Sequence, residues 1–163
     1  MNNMNHLRLS QFTNSDEGSW SAVSDIGKIY NSKLFTQNEY MRVENLYINA
    51  IHNVLDVVGC GNFRISMYED KRGYENVEAR IFNIDDPYVK IRGGEYISNH
   101  LLYTLCRLCL RELMWLRLES DNGCYITFGY DFCVRMGIPE NMEVLSVIPD
   151  GIFLNKMDDD PHE

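Results

Sequence analysis

The chain has 163 residues, 45% of them hydrophobic and 24% charged, and a net charge of −9. That length fits one domain with a substantial core, and ten Tyr, seven Phe and two Trp exclude a disordered chain. The charge is uneven: residues 121–163 hold nine acids against Arg135 and Lys156, a net of −7, whereas residues 61–120 hold nine of each sign. Such a field repels nucleic acid and anionic lipid and attracts a basic partner.

Met1 to Ser10 lacks the apolar centre of a secretion signal. The most apolar run, Leu101 to Leu118, carries Arg107, Arg111, Glu112 and Arg117. Each of these would cost roughly 2.5–3.5 kcal/mol near a bilayer centre. A cytoplasmic protein that binds neither membrane nor nucleic acid is expected. The five cysteines (Cys60, Cys106, Cys109, Cys124, Cys133) are odd in number and lack framework spacing, so free thiols are expected.

No repeat or linker divides the chain, so residues 1–163 read as a single domain with loose termini at 1–10 and 158–163. Trp20, Val23, Ile26, Ile29 and Tyr30 recur at helical spacing, which predicts a short helix before a turn at Asn31 to Lys33. Thr36 to Glu39 matches a capping box and opens a long helix that Gly59 and Gly61 should stop near Val58. Its polar stripe is Asn38, Arg42, Asn45, Asn49, Asn53 and Asp56. The opposite face offers Tyr40, Val43, Tyr47, Ile51, Val54 and Val58 to a core.

From Asn62 the period becomes two. Phe63, Ile65 and Met67 predict a half-buried strand, Asp70 to Gly73 a turn, and Val77, Ala79 and Ile81 a returning strand. Asp85-Asp86-Pro87 breaks the chain, and Tyr88 to Arg92 reads as a third strand ended by Gly93-Gly94. The apolar run then predicts a second helix, about 98–118, turned off by Asp121 to Gly123. Cys124, Ile126 and Phe128 form a strand. Gly129 to Asp131 is a hairpin turn, and Phe132, Val134 and Met136 return. Pro139 to Met142 is a loop. Two long helices, about 37–58 and 98–118, packed on a mainly antiparallel sheet of hairpins give an α+β class.

No phosphate loop, dinucleotide fingerprint, nucleophile elbow or His-Glu-x-x-His occurs, and no catalytic residue, metal site or cofactor is expected. Cys106-x-x-Cys109 is half a zinc site without a second pair, and reads as two core residues. Cys60 with His52 lacks the spacing that would argue for contact, and His100 reads as a solvated imidazole. What remains is a set of carboxylates and tyrosines in the C-terminal part: Asp121, Tyr125, Tyr130, Asp131, Glu140, Glu143 and Asp150. Tyrosine supplies contact area at low entropy cost, and carboxylates pair with the Arg and Lys of a partner, so these seven are the candidate contacts.

Asp25 to Tyr30, Phe35-Thr36, Glu39-Tyr40, Val43-Glu44, Tyr47-Ile48, Ile126 to Phe132 and Gly151 to Phe153 resemble bacterial immunity proteins, those of contact-dependent growth inhibition systems in particular. The resemblance covers about two thirds of the chain and implies a small acidic cytosolic protein. Its partner would be a cognate toxin domain, often a nuclease, neutralised by occlusion of the active site or substrate groove. Two rival readings are a small cytosolic enzyme of uncommon type using Cys60 or His100, and an acidic adaptor for a basic host protein.

Overall fold

The computed structural model describes residues 3–12, 19–74, 76–130 and 132–161. These form an α+β fold with two α-helices, a six-stranded antiparallel sheet and a separate two-stranded hairpin. The strands are β1 (Met4–Ser10), β2 (Ile29–Tyr30), β3 (Lys33–Leu34), β4 (Phe63–Asp70), β5 (Met114–Ser120), β6 (Tyr125–Gly129), β7 (Cys133–Pro139) and β8 (Phe153–Met157). The helices are α1 (Gln37–Val58) and α2 (Asn99–Leu110). The main sheet runs β4-β5-β6-β7-β1-β8.

Local chemistry accounts for α1 completely. The Thr36 hydroxyl accepts the Glu39 backbone N–H at 3.2 Å, while the Glu39 carboxylate is taken by Arg42. Gly59 stops the helix in the left-handed region at φ +71°, where its N–H reaches the Leu55 carbonyl. All six residues of the apolar face are buried. They lie on one face of the sheet, where the register sets Leu7 opposite Met136, Leu9 opposite Val134, and Ile126 between Met136 and Leu118. Trp20, Phe35, Tyr40 and Phe132 close the core at one end, with Trp20 and Phe35 stacked at 4.2 Å.

The helix expected over 98–118 stops at Leu110 in the structure. Glu112 takes φ +59°, and Met114–Ser120 then becomes a strand between β4 and β6. A run this rich in apolar residues suits a buried strand as well as a buried helix. Pairing on both sides supplies the backbone hydrogen bonds that settle the matter.

The returning strand at Val77 to Ile81 and the third strand at Tyr88 to Arg92 do not form; the described part of 71–97 is turns and irregular chain. The partner of β4 is β5, some forty residues downstream. Two arginine side chains hold this long connection instead. Arg111 donates to the carbonyls of Arg80 and Phe82 at 2.7 and 2.6 Å, and Arg72 to that of Pro87 at 3.0 Å. An irregularity between Ile65 and Met67 shifts the register, so Met67 falls opposite Arg117 and is exposed rather than buried.

The helix expected around Trp20 to Tyr30 is reduced to one 3-10 turn at Val23–Asp25, followed by the β2–β3 hairpin. Asn31 and Ser32 carry positive φ at its turn, a geometry that closes tight hairpins.

Neither terminus is loose throughout. Met4–Ser10 is an interior strand paired on both sides. Asp160 is buried in a two-pronged ion pair with Arg117, at 2.8 and 2.6 Å. Nor are all the thiols free. The end of α1 sets Cys60 beside the start of β6, where it forms a disulfide with Cys124; Cys106, Cys109 and Cys133 are buried thiols outside that bond.

Candidate partner-binding surface

The antiparallel register sorts the chain between two ends of the main sheet. One end gathers the C-terminus of α1, the β5–β6 turn, the close of β7 and the close of β8. Asp56, Asp121, Glu140, Asp158 and Asp159 emerge there, all exposed. The last turn of α1 holds no basic residue, so its unpaired carbonyls add a partial charge of about −0.5 to the same end.

Two of these carboxylates stand on supported chain. Asp121 sits in the β5–β6 turn, where the Tyr96 hydroxyl donates to its Oδ1 at 2.7 Å; this bond raises the Tyr96 hydroxyl pKa. Tyr96 is itself placed by residues 94–97, which bond the outer edge of β4 through Gly94, Glu95 and Ile97. Glu140 is tied through its backbone: its N–H reaches Asn3, and its carbonyl accepts from Asn5 at 3.0 Å. Both carboxylates are therefore presented to solvent from restrained backbone.

The other expected contacts do not join them. Glu143 and Asp150 are exposed on the crossing segment that returns along α1, where Asn53 bonds the Val147 carbonyl. Tyr130 is 83% exposed in the β6–β7 turn, at the opposite end of the sheet. Asp131 lies outside the described residues.

Tyr125 is not a surface residue. It is 3% exposed, its hydroxyl bonds His6 Nδ1 at 2.8 Å, and the Arg117 guanidinium lies 4.2 Å over its ring. Its ring fills the space above Gly137, where a Cβ would come within 2.2 Å. The period-two pattern of β6 places Tyr125 on the face away from the helices. Long side chains and the C-terminal chain cover that face.

Sequence reasoning also missed the exposed tyrosines on the β4 side: Tyr68, Tyr74, Tyr88 and Tyr96. Treating 74–96 as loop, on its Asp-Asp-Pro and Gly-Gly breaks, would have brought Tyr74, Tyr88 and Tyr96 forward.

A cavity of about 390 Å³ opens beside the end of α1, lined by His52, Asp56, Cys60, Asn99 and Tyr103 among others. His52 and Cys60 thus share a wall, but the Cys60 sulfur is bonded to Cys124 and His52 Nδ1 is 2.9 Å from the Tyr103 hydroxyl. His100 is exposed beside Asp85 and Arg107. Burial raises the Cys106 thiol to about 12 and pushes Cys109 well above its ordinary value, so neither is a ready nucleophile. The basic residues of the second apolar run are held in ion pairs: Arg107 and Arg111 with Glu44, Arg117 with Glu119 and Asp160.

Among the described residues no group of three or more His, Cys, Asp and Glu is placed to hold a metal ion, and no helix is long and apolar enough to cross a membrane. Comparison with protein families, curated proteins and solved structures finds no match to this chain.

Proposed function

We propose that this protein is an immunity-type inhibitor, which binds a basic toxin domain and occludes its active site or substrate groove. A nuclease is the toxin class the resemblance favours, because an enzyme that acts on a polyanion carries a positive groove. The observation that carries the reading is the acidic end of the sheet, where Asp121 and Glu140 are presented from braced turns beside Asp56, Asp158 and Asp159. Carboxylates held this way steer a basic partner into register and form charge-assisted bonds at low entropy cost. The exposed Tyr96 adds contact area next to Asp121.

The site of action in this reading is the cytosol. Thiols there are kept reduced, so the fold must stand without the Cys60–Cys124 bond. The rival enzyme built on Cys60 needs that same reduction before it has a nucleophile. The adaptor reading shares the acidic surface and parts from the immunity reading only in what it protects.

Co-expression with the toxin domain encoded by the neighbouring upstream reading frame tests the proposal. Cells should grow in the presence of the wild-type protein, and purified complex should form. Asp121→Lys with Glu140→Lys should slow association about tenfold or more at low salt and flatten its dependence on ionic strength. A folded, abundant protein that gives no protection removes the immunity reading. Unchanged association rates for the charge-reversed variant remove the acidic end as its basis.

A further inference from the structure

The face of the main sheet turned away from the helices carries one row of side chains across all six strands. Asn155 of β8 lies opposite Arg8 of β1, and Arg8 opposite Arg135 of β7. Arg135 lies opposite Thr127 of β6, Thr127 opposite Arg117 of β5, and Arg117 opposite Met67 of β4. Three of the six are arginines, two of them direct cross-strand neighbours. Like charges directly opposite one another destabilise a sheet, and an anion between them removes that cost.

Arg117 shows how this face treats a guanidinium. It is almost wholly buried, grips Asp160 with two bonds and donates a third to Glu119 at 2.8 Å. The carboxylate at that end of the row is supplied by the chain's own C-terminal segment. Among the described residues Arg135 has no such carboxylate partner. Its Nε is buried without a hydrogen bond, and among the described residues no ion pair reaches its guanidinium. The residue as a whole stays partly exposed, which leaves a path from solvent. Arg8 is engaged by contacts of its own and contributes charge across the strand. A buried guanidinium nitrogen without an acceptor is costly, and a forked oxyanion is the ligand that matches it.

We propose that Arg135 is the centre of an anion site on this face, reached where Arg135 is partly exposed, which takes a small oxyanion, carboxylate or phosphate, in the manner of Asp160 on Arg117. The site is separate from the acidic end described above and stands whether or not the protein neutralises a toxin.

Inorganic phosphate and malonate, titrated separately into the full-length protein at ionic strength held constant with sodium chloride, test it. Calorimetry should give a saturable isotherm for at least one of them, with a rise in Tm beyond that of chloride; the tighter of the two names the source. Arg135→Gln should weaken that binding at least tenfold. Arg135→Lys, which keeps the charge and loses the fork, should fall between the two and serves if Arg135→Gln does not fold. A response that tracks ionic strength alone, or wild-type affinity in either variant, overturns the proposal.

Discussion

Glu44 and Arg111 are both fully buried and face each other through two hydrogen bonds, Nε to Oε2 and Nη2 to Oε1, each 2.8 Å long. Arg107 adds a third bond to the same carboxylate from the surface side, at 2.7 Å. The pair therefore locks α1 to the end of α2, and through the Arg80 and Phe82 carbonyls it also holds the long connection after β4. Removing one partner strands the other in an apolar site. Arg111→Met or Glu44→Leu alone should lower unfolding free energy by about 3–5 kcal/mol, and the double variant should recover much of that loss. Urea denaturation of the three variants measures it; additive single losses would show that the pair is not coupled.

The Cys60–Cys124 disulfide spans 64 residues of sequence, from the end of α1 to the start of β6. Opening a loop of that size in the unfolded chain should cost about 4 kcal/mol of stability by the chain-entropy argument. Guanidinium unfolding with and without reductant reads the difference. A Cys60→Ser, Cys124→Ser protein should still fold, with the reduced stability of the reductant-treated wild type.

Gly137 lies in β7 beneath the Tyr125 ring, with no room for a methyl group. Gly137→Ala should destabilise by about 1–3 kcal/mol through overpacking, and should break the bond between the Tyr125 hydroxyl and His6. Adding Tyr125→Ala opens the space, so the combined loss should be less than the sum of the two single losses. Thermal denaturation of the set is sufficient.

Asp70 titrates below the ordinary carboxylate range because Arg72 holds it through side-chain bonds of 2.9 and 2.7 Å and a backbone N–H, against an opposing effect of burial. A carboxyl whose pKa is depressed on folding stabilises the protein at pH values above its unfolded pKa of 3.8, and that contribution fades as pH falls below it. Glu39 behaves alike beside Arg42. Stability should therefore decline as pH drops from about 5 toward 2, and Asp70→Asn should make the decline shallower. Denaturant midpoints across that pH range decide it.

Cys106, Cys109 and Cys133 are all buried, and the first two are held protonated by burial. A thiol reagent at pH 8 should label none of them in the native protein and all three in denaturant. Labelling of Cys106 or Cys109 in the native protein at the rate of a free thiol would show that α2 opens.

Much of the architecture is written locally. The Thr36 cap, the stripe from Tyr40 to Val58 and the glycine at 59 specify α1 without reference to any other segment, and the structure returns it at those boundaries. The alternation from Phe63 and from Cys124, with the turn at Gly129 and Tyr130, likewise marks β4, β6 and β7. Segments whose pattern is ambiguous are resolved by distant partners. Met114 to Leu118 is apolar but for Arg117 and becomes a strand because β4 and β6 flank it. Val77 to Ile81 alternates like a strand and forms none, because β5 has taken the place beside β4.

The same division runs through the candidate surface. Composition alone determined that the last quarter of the chain is acidic and that tyrosine is abundant. Tertiary structure decided that Asp121 and Glu140 share one exposed end, that Tyr130 stands at the other, and that Tyr125 and Asp160 turn inward to Arg117. Periodicity reports which face of its own element a side chain occupies. Whether that face meets solvent, a helix or a guanidinium depends on chain that lies far away in sequence, as the neighbours of Tyr125 and Asp160 do.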